Sequence, residues 1–230
     1  MSDNKTFVVS LGGSVMYPDN LDTKLVKQFY NFILKAIKNG FKFVIIAGGG
    51  KLCRTYNSAA SNITNVSNKD LDWLGIETTK INALLLKTIF KQKAHPLLLD
   101  KKGAVKNFGK YPIVIGCGWA PGWSTDYIAT QTAVDFEIKK VINLGKPHYV
   151  YTANPDKNPT AKPLNELTWK NYFKIIPKKW TPGMNTPFDP VASRLARKNN
   201  ITVIVADGRN LPNFQKIITG KNFKGTTLTN

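Results

Sequence analysis

The sequence predicts an α/β fold, a three-layer αβα sandwich with a mainly parallel central sheet and helices on both faces. Three observations carry that expectation. Short apolar, β-branched runs such as TFVVSL, FKFVIIA and ITVIVA alternate with longer segments of helical periodicity. Glycine clusters follow the first two runs at once, as they do where a strand turns into a helix. No internal repeat or composition break divides the 230 residues, so one domain is expected over 1–230.

Taken in order, residues 6–11 read as a buried strand ended by Gly12 and Gly13. Residues 21–38 place Leu21, Leu25, Phe29, Phe32, Ile33 and Ile37 near one helical face, with Gly40 as the stop. A second strand over 41–47 runs into Gly48, Gly49 and Gly50. Helices are expected over 52–63 and, despite Gly75, over 71–92. Strands are expected at 95–99 and 112–115, then a glycine-rich loop at 116–126 and a helix at 127–136. A strand at 141–144 precedes a long loop rich in Pro and Asn over 145–163. A helix at 189–198, a strand at 201–206 and a helix near 210–218 close the chain.

Composition narrows the function. With 42% apolar and 11% aromatic residues the chain can bury a core, which excludes disorder. No apolar run is long enough to span a membrane. The first residues lack the pattern of a signal peptide, so a cytoplasmic location is expected. Cys53 and Cys117 stand apart, read as reduced thiols, and with His95 and His148 they form no metal-ligand spacing. The net charge of +19 raises nucleic acid as a partner. That partner is disfavoured because the cations are mostly Lys, which lacks the bidentate fork of Arg, and because they are dispersed along the chain. A general compositional bias, with some attraction for anionic substrates, fits the charge as well.

In parallel sheets, ligands bind beyond the carboxyl ends of the strands. Gly12-Gly13-Ser14 and Gly48-Gly49-Gly50 both fall there, with Lys51 and Arg54 one helical turn into the next helix, a pattern suited to polyphosphate. Neither GxxxxGK[ST] nor GxGxxG with a downstream acid is present, which argues against a P-loop enzyme and a simple dinucleotide-binding dehydrogenase.

The ordered segments SLGGSV at 10–15, AGGGKLCRTY at 47–56, DWLGIETTKINALLL at 72–86, GCGWAPGWSTD at 116–126, VYTANP at 150–155 and FDPVASRLA at 188–196 resemble those of uridylate kinases, most closely the archaeal-type branch of the amino acid kinase superfamily. The resemblance runs from about residue 8 to 227. It implies the amino acid kinase fold, a kinase moving a phosphoryl group from ATP to UMP in pyrimidine nucleotide synthesis, Mg²⁺ as cofactor, and a homo-oligomer, a hexamer in the family. UMP already presents an ionised phosphate oxygen, so such a reaction needs no general base. It needs two anions held in line and charge stabilised between them.

By position, the resemblance implies ATP-phosphate contacts for Gly12, Gly13, Ser14 and Gly50, with Arg54 at the reacting centre and Lys51 beside it. Gly49 faces UMP, Asp72 selects its nucleoside, and the loop of Trp119, Ala120, Pro121, Gly122, Trp123, Ser124 and Thr125 wraps it. Gly145, Lys146, Tyr151 and Asn154 fall where the family binds the ATP base and ribose, with Tyr151 as a stacking surface. Asp126 and Asp189 are candidates to orient cations or Mg²⁺. No residue is assigned as a resident metal ligand.

Structural roles compete with these. Asp126 and Asp189 each precede a predicted helix, where a carboxylate caps free N–H groups. Asp72 could complement a helix dipole, Lys51 could be solvated, and Tyr151 and Trp123 could be packing aromatics. Trp73 reads as core and His148 as loop surface. The chain also departs from the family pattern. Ser10 stands where many superfamily members carry Lys. His148 and Asn154 replace two acids of the ATP-side loop, and Trp119 replaces a small hydroxyl residue. These departures keep two alternatives open: a related kinase with another phosphorylated acceptor, and a non-catalytic nucleotide-binding regulator.

Overall fold

Alternate residues of each central strand face opposite layers, and both sets are apolar. In the first strand Phe7, Val9 and Leu11 join one core and Val8 the other; in the second, Phe43, Ile45 and Ala47 oppose Val44 and Ile46. A strand apolar on both faces must be covered on both, which is why the predicted sandwich forms. The computed structural model describes residues 5–155, 157–177 and 186–230. The first four residues, where the reading of the N-terminus began, and one residue of the long loop lie outside them.

The elements in chain order are β1 (Thr6–Leu11), α1 (Gly13–Met16), α2 (Thr23–Lys38), β2 (Lys42–Ala47), α3 (Gly50–Ile63), α4 (Asn68–Phe90), β3 (Ile113–Gly116), α5 (Thr125–Asp135), β4 (Lys140–Gly145), β5 (Val150–Tyr151), β6 (Pro163–Leu164), β7 (Glu166–Thr168), α6 (Trp169–Ile175), α7 (Pro190–Lys198), β8 (Thr202–Asp207), α8 (Leu211–Ile218) and β9 (Thr226–Thr229). The main sheet has the order β3-β2-β1-β4-β8-β9-β7, and only β8 and β9 pair antiparallel. One core lies under α2, α4 and α8, the other under α5, α6 and α7.

Several elements differ from the sequence reading. Residues 95–99 form no strand; the segment from Ala94 to Leu99 meets β3 at its two ends, in the isolated bridges Ala94–Ile113 and Leu99–Gly116. Pro96 has no N–H to give, and the Leu97 N–H is taken by His95 Nδ1 at 3.2 Å, so the ladder cannot run through. Leu21 precedes α2 at the surface, because Asp22 caps the helix by accepting from Leu25 N. The long loop contains the two-residue pair β5–β6. Trp73 is 44% exposed and is not a core residue. The strands β9 and β7 extend the sheet beyond the expected elements, and α6 is a further helix not expected from the sequence.

Tyr172 of α6 anchors the chain leading into α7. Its hydroxyl donates to Phe188 O at 2.7 Å and accepts from Phe188 N at 2.8 Å, fully buried. Tyr172→Phe leaves both backbone groups unpaired inside the core, and we expect a loss of about 1–3 kcal/mol in urea unfolding.

Candidate active site

The carboxyl ends of β1, β2, β3 and β4 open onto one rim, and α3, α5 and α7 point their N-termini at it. Free N–H groups and the positive ends of three helix dipoles therefore converge where an anion would sit.

The two glycine loops on this rim are packed against each other. A Cβ on Gly13 would overlap the Gly50 nitrogen, and one on Gly48 would overlap the Gly13 nitrogen. Gly50 also has φ +68, a left-handed conformation that suits glycine. Gly12 donates to Leu144 O at 2.7 Å, and a Cβ there would lie 3.2 Å from Gly145 Cα. The contact brings the predicted ATP residues Gly12, Gly13, Gly50 and Gly145 together, with Ser14 one position on in α1. Lys51 and Arg54, on the first turns of α3, are exposed and pair with no carboxylate among the described residues.

Helix α4 ties these loops to the predicted acceptor loop, residues 117–125. Asp72, Gly75, Thr79 and Asn82 are spaced three, four and three apart, one face of a helix. Asp72 Oδ2 accepts from Gly122 N at 2.7 Å, and Thr79 Oγ1 accepts from Gly118 N at 2.9 Å. Asn82 Nδ2, buried, donates to Gly48 O at 2.7 Å. Beside them Gly49 meets Cys53 and Thr78 so closely that a Cβ would lie 2.7 and 2.8 Å from their side-chain atoms. Burial pushes the Cys53 thiol upward in pKa, and the charges of Arg54 and Asp72 both reach it. Thr79 and Asn82 are absent from the predicted set, although both belong to the quoted 72–86 segment; hydrogen bonds to backbone give them no ionisable signature.

The acceptor loop carries Trp119, Ala120, Pro121, Gly122, Trp123, Ser124 and Thr125. Trp119 packs on the second core, with its indole N–H buried and without a partner among the described residues. Trp123, 37% exposed, lies 4.8 Å from the Tyr127 ring. Ser124 caps α5 by accepting from Tyr127 N.

At the end of β1, buried Ser10 donates to Asp126 Oδ1 at 3.0 Å, and Asp126 Oδ2 accepts from Asp189 N at 3.2 Å. Asp189 itself caps α7, accepting from Val191 N at 2.6 Å and Ala192 N at 2.7 Å. The capping role weighed for Asp189 is therefore real, whereas Ser124 caps α5 and leaves Asp126 to the rim. Burial, and next the charge of Asp189, push Asp126 from an ordinary 3.8 to about 7. Burial also raises Asp189, against the hydrogen bonds it accepts.

A cavity of about 540 Å³ lies beside the rim, lined by Lys146, His148, Tyr151, Asn154, Ile175 and Pro187 among others. Three of the four residues expected around the ATP base and ribose are thus in one place, with Gly145 the adjoining end of β4. Tyr151 meets Tyr149 edge to face. His148 is a half-exposed loop residue, as read, and its Nε2 lies 3.5 Å from Asp207 Oδ1.

Residues 5–207 match the model of the amino acid kinase family. A protein named uridylate kinase from Methanocorpusculum labreanum is 31% identical over 227 residues, covering 97% of this chain and 95% of its own length. One from Pyrococcus abyssi is 29% identical over 96% of this chain and 98% of itself. The crystal structure of uridylate kinase from Archaeoglobus fulgidus superposes with a TM-score of 0.81 at 25% identity, covering 97% and 99% of the two chains. The interlocked glycine loops, the helix that holds them and this end-to-end likeness lead to one assignment: the chain belongs to the amino acid kinase family.

Proposed function

We propose that this chain is a UMP kinase, transferring the γ-phosphoryl group of ATP to UMP to give UDP and ADP. The observation that carries the reading is α4 with its two attachments, Asn82 to the phosphate loops and Asp72 and Thr79 to the acceptor loop. One rigid element fixes donor and acceptor loops relative to each other, which is what in-line transfer between two anions requires. The relatives named uridylate kinase over their full lengths support the acceptor.

In this reading the 540 Å³ cavity takes the base and ribose of ATP, and the backbone N–H groups of the interlocked glycine loops take its phosphates. Lys51 and Arg54, free of carboxylate partners among the described residues, swing onto the transferring phosphoryl group and offset its charge. In this reading Trp119 to Thr125 enclose UMP. Asp126 and Asp189 are hard oxygen donors of the kind Mg²⁺ accepts together with substrate phosphates. Among the described residues no three His, Cys, Asp or Glu group to hold a metal by themselves, so Mg²⁺ would be held jointly by these carboxylates and the nucleotide. Bound there, it would neutralise phosphate charge.

The same reading includes a homo-oligomer, with the hexamer as its expected form. Helix α3 has no buried residue, and Tyr56, Trp73 and Ile81 on α3 and α4 are exposed, an apolar surface for a second copy. A cytoplasmic place for the reaction completes it; among the described residues no helix is long and apolar enough to cross a membrane.

Coupled assays of ADP release with UMP, CMP, dUMP and isopentenyl phosphate test the reading. UMP is expected to give the highest kcat/KM; no preference for it points to another acceptor, and binding of both nucleotides without turnover points to a regulator. Asp72→Ala removes the acceptor for Gly122 N–H and lets the acceptor loop open. We expect KM for UMP to rise at least ~10-fold, with kcat changed far less, because the loss falls on acceptor binding.

A further inference from the structure

The lysines are dispersed in sequence, but the fold gathers many of them on the pole opposite the proposed active site. The parallel strands all start on that side, and Lys5, Lys42 and Lys140 stand at the starts of β1, β2 and β4. Helices run antiparallel to these strands, so α2, α4 and α7 end there too, bringing Lys38, Lys91 and Lys198. All six are exposed. Lys5 donates to Asn39 O at 3.2 Å; the other five pair with no carboxylate among the described residues. Among the described residues the acids on this face are Asp135 and Glu137, at the end of α5.

Cations at helix ends complement the helix dipoles, which accounts for Lys38, Lys91 and Lys198. It does not account for lysines at the starts of three adjacent strands. Between α4 and β3 this face also carries a groove of about 490 Å³, with Leu84, Ala94, Pro96 and Tyr111 as apolar wall and Lys87, Lys91 and Lys110 as cationic rim. Lys110 Nζ stands 5.7 Å from the centre of the Tyr111 ring. From β3 to β8 the strand starts span roughly 20 Å, four interstrand spacings.

We propose that this pole binds single-stranded nucleic acid, independently of sequence and of the kinase site. Lysines beside a groove that offers one aromatic ring, Tyr111, supply the two elements by which proteins follow a phosphate backbone and stack a base. Lysine suits it, because a flexible point charge neutralises phosphate without reading bases. A membrane surface would use the charge but not the groove.

The test is fluorescence anisotropy of the whole chain with a labelled 20-nucleotide oligo-U. Binding is expected at 50 mM salt, with affinity falling on a log–log slope of about −2 to −3 as three or four phosphates release their counterions. The triple charge reversal Lys42→Glu, Lys110→Glu, Lys140→Glu is expected to weaken binding at least ~10-fold while kcat for UMP stays within about twofold of wild type. The same three positions changed to Gln, with folding checked by thermal melt, should show a smaller loss of the same kind. A control triple on the opposite half, Lys24→Glu, Lys27→Glu, Lys69→Glu, is expected to keep its affinity. The proposal is overturned by absence of binding at 50 mM salt, by equal losses in both Glu triples, or by displacement of the RNA with saturating ATP and UMP. Binding to phosphatidylserine vesicles without binding to RNA would overturn it in favour of a membrane.

Discussion

Arg54→Ala is expected to lower kcat/KM for UMP phosphorylation at least ~100-fold, about 2.7 kcal/mol of transition-state stabilisation. The size follows from what surrounds the reacting centre. Ser10 occupies the β1 position where a lysine would otherwise supply positive charge, and its hydroxyl serves Asp126 instead. The charge must then come from α3, whose first turns carry Lys51 and Arg54 and whose N-terminus is fixed by Lys51 N donating to Tyr17 O at 2.9 Å. Arg offers a planar fork to phosphate oxygens, so Arg54→Lys should recover only part of the loss. Steady-state kinetics with both variants checks this, and near wild-type kinetics in Arg54→Ala would place the compensating charge elsewhere.

Asp126→Asn is expected to cost a similar factor, at least ~100-fold in kcat/KM, while making the protein more stable above neutral pH. The amide can keep both hydrogen bonds: its oxygen accepts from Asp189 N, and its nitrogen donates to the Ser10 hydroxyl, which turns to accept. What is lost is the negative charge. In the folded chain Asp126 holds its proton to about pH 7, against an ordinary 3.8, because burial and then Asp189 oppose ionisation. The folded state therefore binds more protons than the unfolded one between about pH 4 and 7, and through this group stability falls as pH rises across that window. Melts of Asp126→Asn should show a Tm gain at pH 8 that disappears near pH 4. The ionisation near 7 should also vanish from the kcat/KM profile. A variant that loses activity without that Tm gain would show the carboxyl to be ionised and paired in the folded protein.

The long central elements were legible in the sequence because each carries its own periodicity. Runs such as FKFVIIA admit little besides a strand buried on both faces, and α2 and α4 keep helical spacing over many turns. The short edge pieces were not legible. β7 has three residues, and β9 is held by β8 and β7, so what makes them strands is the partner, which no local window contains. Residues 95–99 misled because they are apolar enough for a strand, while Pro96 and the His95 side chain remove the N–H groups a ladder needs. Trp73 misled for the opposite reason, since an indole suggests a core and α4 turns it outward. At the site, glycines and charged residues were visible one by one. The bonds that assemble them span 34 to 116 positions, as in Asn82 to Gly48 and Ser10 to Asp126. The lysines at the strand starts were hidden in the same way, because strand starts far apart in sequence become neighbours only when the sheet forms.

The bonded face of α4 works as a ruler. A helix advances about 1.5 Å and turns about 100° per residue, so Asp72, Thr79 and Asn82 mark off fixed distances along about 15 Å of axis. Changing a side chain at one mark frees one loop. Adding or deleting a single residue between Thr79 and Asn82 would instead turn the two earlier marks about 100° away from the last, so that no rotation of the helix could serve both loops. The protein can therefore vary the chemistry at each mark far more easily than it can vary the length between them, and the gap between donor and acceptor is set by a count of residues.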